Sequence, residues 1–305
     1  MIIKTGIMTR FATRYYSIHP QCSLDQLAST IAKYYNGLTD IFDELTVSKI
    51  RDIQKKIRIG KYTLSSLQLI VNNKKDPIKD FHHILHMLKN DSIFYGSLTP
   101  IQEDKLVLMA LGGMLNTRII NFHLLNSSSF GLKFRPTDYY AHIRSIEGPI
   151  SRVYKLDMTN SLRRVNKESL LTKLEPIVSN DEIIQLLKSF LYMPILHEGK
   201  DYSYIMKDII PTSALITDVL LNFALIELDN QFHQLFPSFS YTRYVQEVIV
   251  TTSQKECLFE SSLFSLFDSL NLDGQIISIG PGEKPMPCHH GGVISITEDG
   301  RLFLM

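Results

Sequence analysis

The residues of this chain that could do chemistry fall into ligand-type clusters, isolated carboxylates and basic runs. Cys288-His289-His290 places three metal-ligating types in a row. Adjacent residues rarely all point at one metal, and no partner pair lies at zinc spacing, so no zinc site is expected there. His82, His83 and His86 fall within one turn of a helix over 78–90, again without a third ligand. Asp157 closes the run RVYKLD, and Gln246 and Glu247 lie in the turn of YTRYVQEVIVTT, Tyr241 to Thr252. Carboxylates are the hard anionic oxygens that magnesium prefers. On its own, though, Asp157 reads as a strand-end acid that caps a turn or pairs with a lysine, and Gln246-Glu247 reads as a plain hairpin turn. Basic clusters at Lys55, Lys56, Arg58 and Lys61, at Lys74, Lys75 and Lys79, and at Arg163, Arg164 and Lys167 could bind phosphates. The same spacings also fit solvated helix faces.

The elements that must position these residues alternate between helix and short strand. Residues 23–57 have helical periodicity, with Ser23 and Asp25 as N-cap candidates and a break at Gly37. A strand follows Tyr62 and ends at Asn72-Asn73. Thr99-Pro100 reads as the opening of a further helix, with Pro at its first position. Residues 127–129 form a loop, 152–157 a strand, 166–176 and 180–192 two helices, and 212–235 one long helix. A hairpin spans 238–252, then a helix 256–271, then strands at 276–280 and within 293–304. No internal repeat or low-complexity segment interrupts them. This alternation is an α+β pattern.

Composition sets the limits. The chain has 305 residues, 44% of them hydrophobic, enough for a substantial core. No apolar run reaches the roughly 18 residues of a membrane helix, so no membrane span is expected. Three widely spaced cysteines, Cys22, Cys257 and Cys288, predict reduced thiols. A formal charge of +1 does not by itself announce nucleic-acid binding. Met1 to Tyr16 contains Lys4, Arg10 and Arg14 but no acid, with Thr5, Thr9 and Thr13 set among apolar residues. That is the composition of a mitochondrial transit peptide, and Arg14-Tyr15-Tyr16-Ser17 resembles a matrix protease site. Its removal would leave a slightly acidic chain, so any RNA-binding face must be local. The expected location is the mitochondrial matrix.

Several segments, in order, resemble the group II intron reverse transcriptase and maturase family. Ile59-Gly60-Lys61-Tyr62 is similar to the Gly-Lys-Tyr start of its fingers. Gln102-Glu103-Asp104-Lys105-Leu106-Val107 is similar to its Asp-Lys-hydrophobic helix. Ser127-Ser128-Ser129-Phe130-Gly131 with Phe134-Arg135-Pro136 resembles the fingertip that contacts template and nucleotide, with Leu132 and Lys133 intruding. Val153 to Asp157 resembles the first palm strand, and Leu162 stands where the family has Phe. Pro211-Thr212-Ser213 stands for Pro-Gln-Gly, and Leu228-Asp229 survives near the end of that helix. Gly291-Gly292-Val293 resembles the primer-grip turn. Tyr244-Val245-Gln246-Glu247 occupies the place of the Tyr-Ala-Asp-Asp turn.

The resemblance implies a reverse-transcriptase-like palm with a mainly helical fingers and N-terminal region. It divides the chain into a presequence over 1–16, a helical and fingers region over 17–130 and a palm-like region over 131–305. With the chain ending at Met305, no thumb is expected. The family's two metals are held by two Asp, of which Asp157 remains and Gln246 replaces the other. Glu247 keeps a carboxylate one position on, but strand neighbours point to opposite sides, so it is expected to point away. Loss of nucleotidyl transfer follows, with a weak magnesium at Asp157 as the most the ligand set offers. Asp157, Gln246 and Glu247 are then vestigial. RNA binding would rest on Lys55, Lys56, Arg58, Lys61, Arg135, Arg163 and Arg164. The implied role is a non-catalytic RNA-binding factor in mitochondrial RNA processing, most specifically group II intron splicing. The RNA partner implied is intron or ribosomal RNA. The alternative is a structural subunit of a mitochondrial ribonucleoprotein such as the ribosome, using palm and fingers only as a protein-binding surface.

Overall fold

The computed structural model describes residues 22–71, 96–121, 129–130, 136–158, 165–203, 210–211, 214–253, 259–270, 272, 274–288 and 292–305. Arg135, Arg163, Arg164, the proposed presequence, the lysines at 74, 75 and 79 and the helix expected over 78–90 lie outside them. By packing, the chain divides into one unit of Met1–Phe122 with Asn166–Val219 and a second of His123–Val165 with Leu220–Met305. This grouping differs from a linear cut at residue 130, because segment 166–219 packs with the N-terminal unit. Among the described residues no helix is long and apolar enough to cross a membrane.

The first unit is built on helices. α1 (Leu24–Gly37) is capped by Ser23, whose side chain accepts the Gln26 N–H, and α2 (Val47–Arg58) by Thr46, which accepts the Lys49 N–H. α1 buries Leu27, Ile31 and Tyr34, and α2 buries Ile50, Ile53 and Ile57. These spacings, i, i+4, i+7 in α1 and i, i+3, i+7 in α2, are the signature of a one-sided helix. α2 ends where Gly60, at φ 65, lets its own N–H reach Ile57 O and the Lys61 N–H reach Lys56 O. This paired closure satisfies carbonyls that the helix end would otherwise leave open. β1 (Leu67–Val71) and β2 (Gly96–Pro100) pair antiparallel. The helix expected from Thr99-Pro100 starts two residues later, as α3 (Gln102–Asn121), with Pro100 ending β2. A residue preceding proline is held extended, which suits Thr99 to a strand. α3 is apolar all round, and Leu106 to Thr117 are all buried, so it forms the centre of the unit.

α5 (Lys167–Val178) and α6 (Asp181–Leu191) complete the helical part, capped by Asn166 and Asn180. α5 runs past Pro176, its expected stop, and closes at Ser179 in the left-handed region. β5 (Ile195–His197) pairs parallel to β1 and antiparallel to β6 (Lys200–Asp201), giving the sheet order β2-β1-β5-β6.

The second unit holds a five-stranded sheet. Its strands are β3 (Ser129–Phe130), β4 (Arg152–Asp157), β7 (Ser240–Tyr244), β8 (Glu247–Thr252) and β9 (Gln275–Ile279), in the order β3-β7-β8-β4-β9. The long helix expected over 212–235 is two helices, α7 (Ala214–Ala224) and α8 (Ile226–Leu235), parted at Leu225. The boundary between the units falls within α7. Leu221, Leu225, Leu228 and Phe232 pack with α9 (Phe259–Ser269) on one face of the sheet, against Tyr154, Leu156, Tyr241, Val248 and Val250. We call this the back face. The front face carries Val153, Ile249 and Ile279. It is covered by α4 (Pro136–Arg144) and a three-stranded sheet of β10 (Met286–Pro287), β11 (Val293–Ile296) and β12 (Leu302–Leu304). Alternation of inward residues to the two faces follows from the two-residue period of a strand.

Candidate site at the end of β4 and the β7–β8 turn

The register of β4 against β8 pairs Asp157 with Glu247, not with Gln246. Directly opposed residues of an antiparallel pair point to the same side of the sheet, so both carboxylates belong to the front face. The expectation that Glu247 would turn away from Asp157 is therefore not met. Gln246 belongs to the two-residue turn, and strand alternation starts again at Glu247, opposite Tyr244. The Met158 N–H donates to Gln246 O at 2.8 Å, which makes 158 and 246 a hydrogen-bonded pair. Asp157 and Glu247 are then a non-hydrogen-bonded pair, the kind whose side chains approach more closely.

Glu247 is 1% exposed. Its Oε1 accepts the Tyr139 hydroxyl at 3.0 Å, and its Oε2 lies 3.7 Å from Lys155 Nζ. Lys155 is also buried and donates to Pro287 O at 2.7 Å. A buried carboxylate is tolerated only when it is paired and hydrogen-bonded. Here the lysine comes from β4 itself and the tyrosine from α4. Burial, then the charge of Glu247, holds the Tyr139 phenol well above its ordinary value. Burial, then Glu247, pushes the Cys288 thiol up to about 12, against the opposing effect of Lys155. Cys288 is thus a protonated core thiol, whereas metal ligation requires the thiolate. His289 and His290 lie outside the described residues.

The turn is held from the back face. Val245 has φ 54, an outlier for a β-branched residue. Its carbonyl accepts from Arg243 Nη1 at 2.7 Å. The Arg243 side chain is fully buried and also donates to Asn222 Oδ1 on α7 and to both oxygens of Asp229 on α8. The Tyr241 hydroxyl donates to Asp229 as well. Two buried charges thus clamp the tip of the hairpin, one face through Arg243 and the other through Glu247.

In the first unit, Lys55, Lys56, Arg58 and Lys61 lie exposed along the end of α2. Lys56 pairs with Asp52 at 2.7 Å and Arg58 with Asp25 at 3.6 Å. The Gly-Lys-Tyr and Asp-Lys segments meet: the Tyr62 hydroxyl donates to Asp104 Oδ1 at 2.7 Å, and Ser65 donates to Oδ2 through its N–H and hydroxyl. Asp104 is buried and serves as the anchor of this loop.

Sequence reasoning singled out Asp157, Gln246 and Glu247 but not Lys155, Tyr139, Arg243 or Asn222. A signal was present. Lys155 and Arg243 sit in the middle of apolar strands, where a charge must find a partner.

No protein-family model matches the chain, and no curated protein matches it. Solved structures do. The telomerase of Candida albicans in complex with a TWJ fragment of telomeric RNA is 13% identical, with a TM-score of 0.50 over 84% of this chain and 48% of that one. The fold is reverse-transcriptase-like. The apo telomerase of Candida tropicalis truncated from its C-terminal domain is 15% identical over 77% of this chain and 49% of that one, at a TM-score of 0.45. A partial Cas6-RT-Cas1–Cas2 complex is 14% identical over 82% and 43%, at 0.43. The chain spans about half the length of these reverse-transcriptase-like structures.

Proposed function

We propose that this reverse-transcriptase-like chain binds RNA without polymerising nucleotides, and that it serves RNA processing in mitochondria, with group II intron splicing as the specific task. The observation that carries the first part is the burial of Glu247 between Tyr139 and Lys155 beside Asp157. Two-metal nucleotidyl transfer needs hard anionic ligands open to two divalent cations and to substrate. Gln246 brings no charge to the turn, and both oxygens of Glu247 face protein partners. This donor set does not fit a pair of divalent cations.

RNA binding is supported by the exposed basic end of α2 and, by analogy of fold, by the RNA fragment bound to the Candida albicans telomerase. The mitochondrial part rests on the composition of residues 1–16, and the splicing part on the resemblance of the motifs. The test is crosslinking and sequencing of RNA bound to a tagged copy in intact mitochondria, together with primer extension by the purified protein in magnesium and manganese. Reads concentrated on one intron, with no extension, are expected. Extension, or an absence of crosslinked RNA, would overturn the reading.

One observation favours a second role, as a protein-binding subunit of a ribonucleoprotein. Lys56 and Arg58 already face Asp52 and Asp25, so Lys55 and Lys61 are the cations of this row without an ion pair among the described residues. Reads confined to ribosomal RNA, with co-migration on a large particle after nuclease treatment, would select this role.

A further inference from the structure

We propose that Lys155 is the resident cation of the Asp157–Glu247 site: its ammonium takes the place a divalent ion would need, and removing it creates a site for one. This deepens the non-polymerising reading and rests on it.

Lys155 and Asp157 are two residues apart on β4 and so share the front face, where Glu247 stands opposite Asp157. The Lys155 ammonium lies 2.7 Å from Pro287 O and 3.7 Å from Glu247 Oε2, with the side chain almost closed to solvent. Around that nitrogen are a carboxylate oxygen and a backbone carbonyl oxygen, with a second carboxylate on the adjoining strand position. All are hard oxygen donors of the kind that bind magnesium, manganese or calcium. Breaking a buried ion pair by removing one partner leaves an uncompensated charge. Without the ammonium, Glu247 must take up a proton or a cation. A short side chain at 155 would vacate the volume of the lysine between Glu247 Oε2 and Pro287 O, the two oxygens its ammonium now faces.

The alternative is that Lys155 is a packing lysine whose loss merely destabilises the sheet. The two differ in what manganese does. In Lys155→Ala, millimolar Mn2+ should raise the melting temperature by roughly 2 °C once it exceeds Kd about tenfold. The wild type should show no shift. Lys155→Met removes the charge but keeps the space filled, and should not respond. Lys155→Ala with Glu247→Gln should lose the response, which separates this site from adventitious histidine binding.

A folded Lys155→Ala that ignores Mn2+ would overturn the proposal. So would a wild-type shift that Glu247→Gln abolishes, since the site would then take metal with its lysine in place. Where Lys155→Ala does not fold alone, Mn2+ is expected to restore its folded signal, and no recovery in Mn2+ would equally overturn the proposal. Primer extension by the wild type would instead sink the functional reading above, so the two fail by different experiments.

Discussion

Arg243 and Asp229 form a two-point ion pair, Nε to Oδ1 at 2.7 Å and Nη2 to Oδ2 at 2.6 Å, with neither side chain reaching solvent. The pair joins β7 to α8, and its guanidinium also carries the Val245 carbonyl at the hairpin tip. Removing one partner strands a buried charge, which costs about 3–5 kcal/mol. Arg243→Met and Asp229→Leu should each destabilise the protein by that order. The double variant should cost clearly less than the two singles together, because the second change removes the orphaned charge. Denaturant unfolding of the four proteins measures the coupling.

The end of α2 offers a smaller and more local test. Gly60 is left-handed, and a Cβ added there would meet only Leu24 Cδ1 at 3.8 Å, an ordinary contact. Space is therefore not the constraint; backbone conformation is. Gly60→Ala should cost about 1 kcal/mol, the ordinary penalty of the left-handed region for a residue with a Cβ. Thermal unfolding checks the magnitude. A cost several times larger would mean that Lys61 and Tyr62 lose their positions as well.

The parts legible in the sequence are those fixed by local periodicity. β4 was readable to the residue because Val153, Tyr154, Leu156 and their neighbours fill a short run that both faces bury. The β7–β8 hairpin was readable for the same reason. β2, β5 and β6 were not: β5 has three residues, and its parallel partner β1 lies far away in the chain. Pro176 marked a stop that α5 overrides, since a proline in the last turn sacrifices one helix bond and the chain closes at Ser179 instead. At the site, the positions of Asp157, Gln246 and Glu247 were readable as types. Their meaning was not, because Tyr139 reaches Glu247 from 108 residues away and the register alone decides that Glu247 faces Asp157.

Close helix packing in the first unit rests on Gly112. A Cβ there would stand 2.8 Å from Ile216 N and 2.9 Å from Ile216 Cα, so α3 and α7 touch backbone to backbone. Gly112→Ala gains about 1 kcal/mol of helix propensity and meets an overpacking cost of about 1–3 kcal/mol, or more where backbone must move. The net should be a loss of about 2 kcal/mol. It is opposite in sign to the gain that alanine brings at an unconstrained helical glycine. Urea unfolding of this variant distinguishes the two signs.

Asp218, partly buried on α7, gives the first unit a pH dependence of known sign. Burial pushes its carboxyl up to about 6. In the unfolded chain it titrates near its ordinary value of about 4. Between those two values the folded protein holds a proton that the unfolded chain has released. Stability from this group therefore falls as pH rises through the window from about 4 to about 6, and is level above it. Asp218→Asn cannot titrate, so its stability relative to the wild type should grow across that window and then hold constant to neutral pH. Urea midpoints of both proteins at pH 4.5, 5.5 and 7, about the limits and middle of the titration, read the difference directly. A constant difference at all three would show that the Asp218 carboxyl is not held neutral by its surroundings.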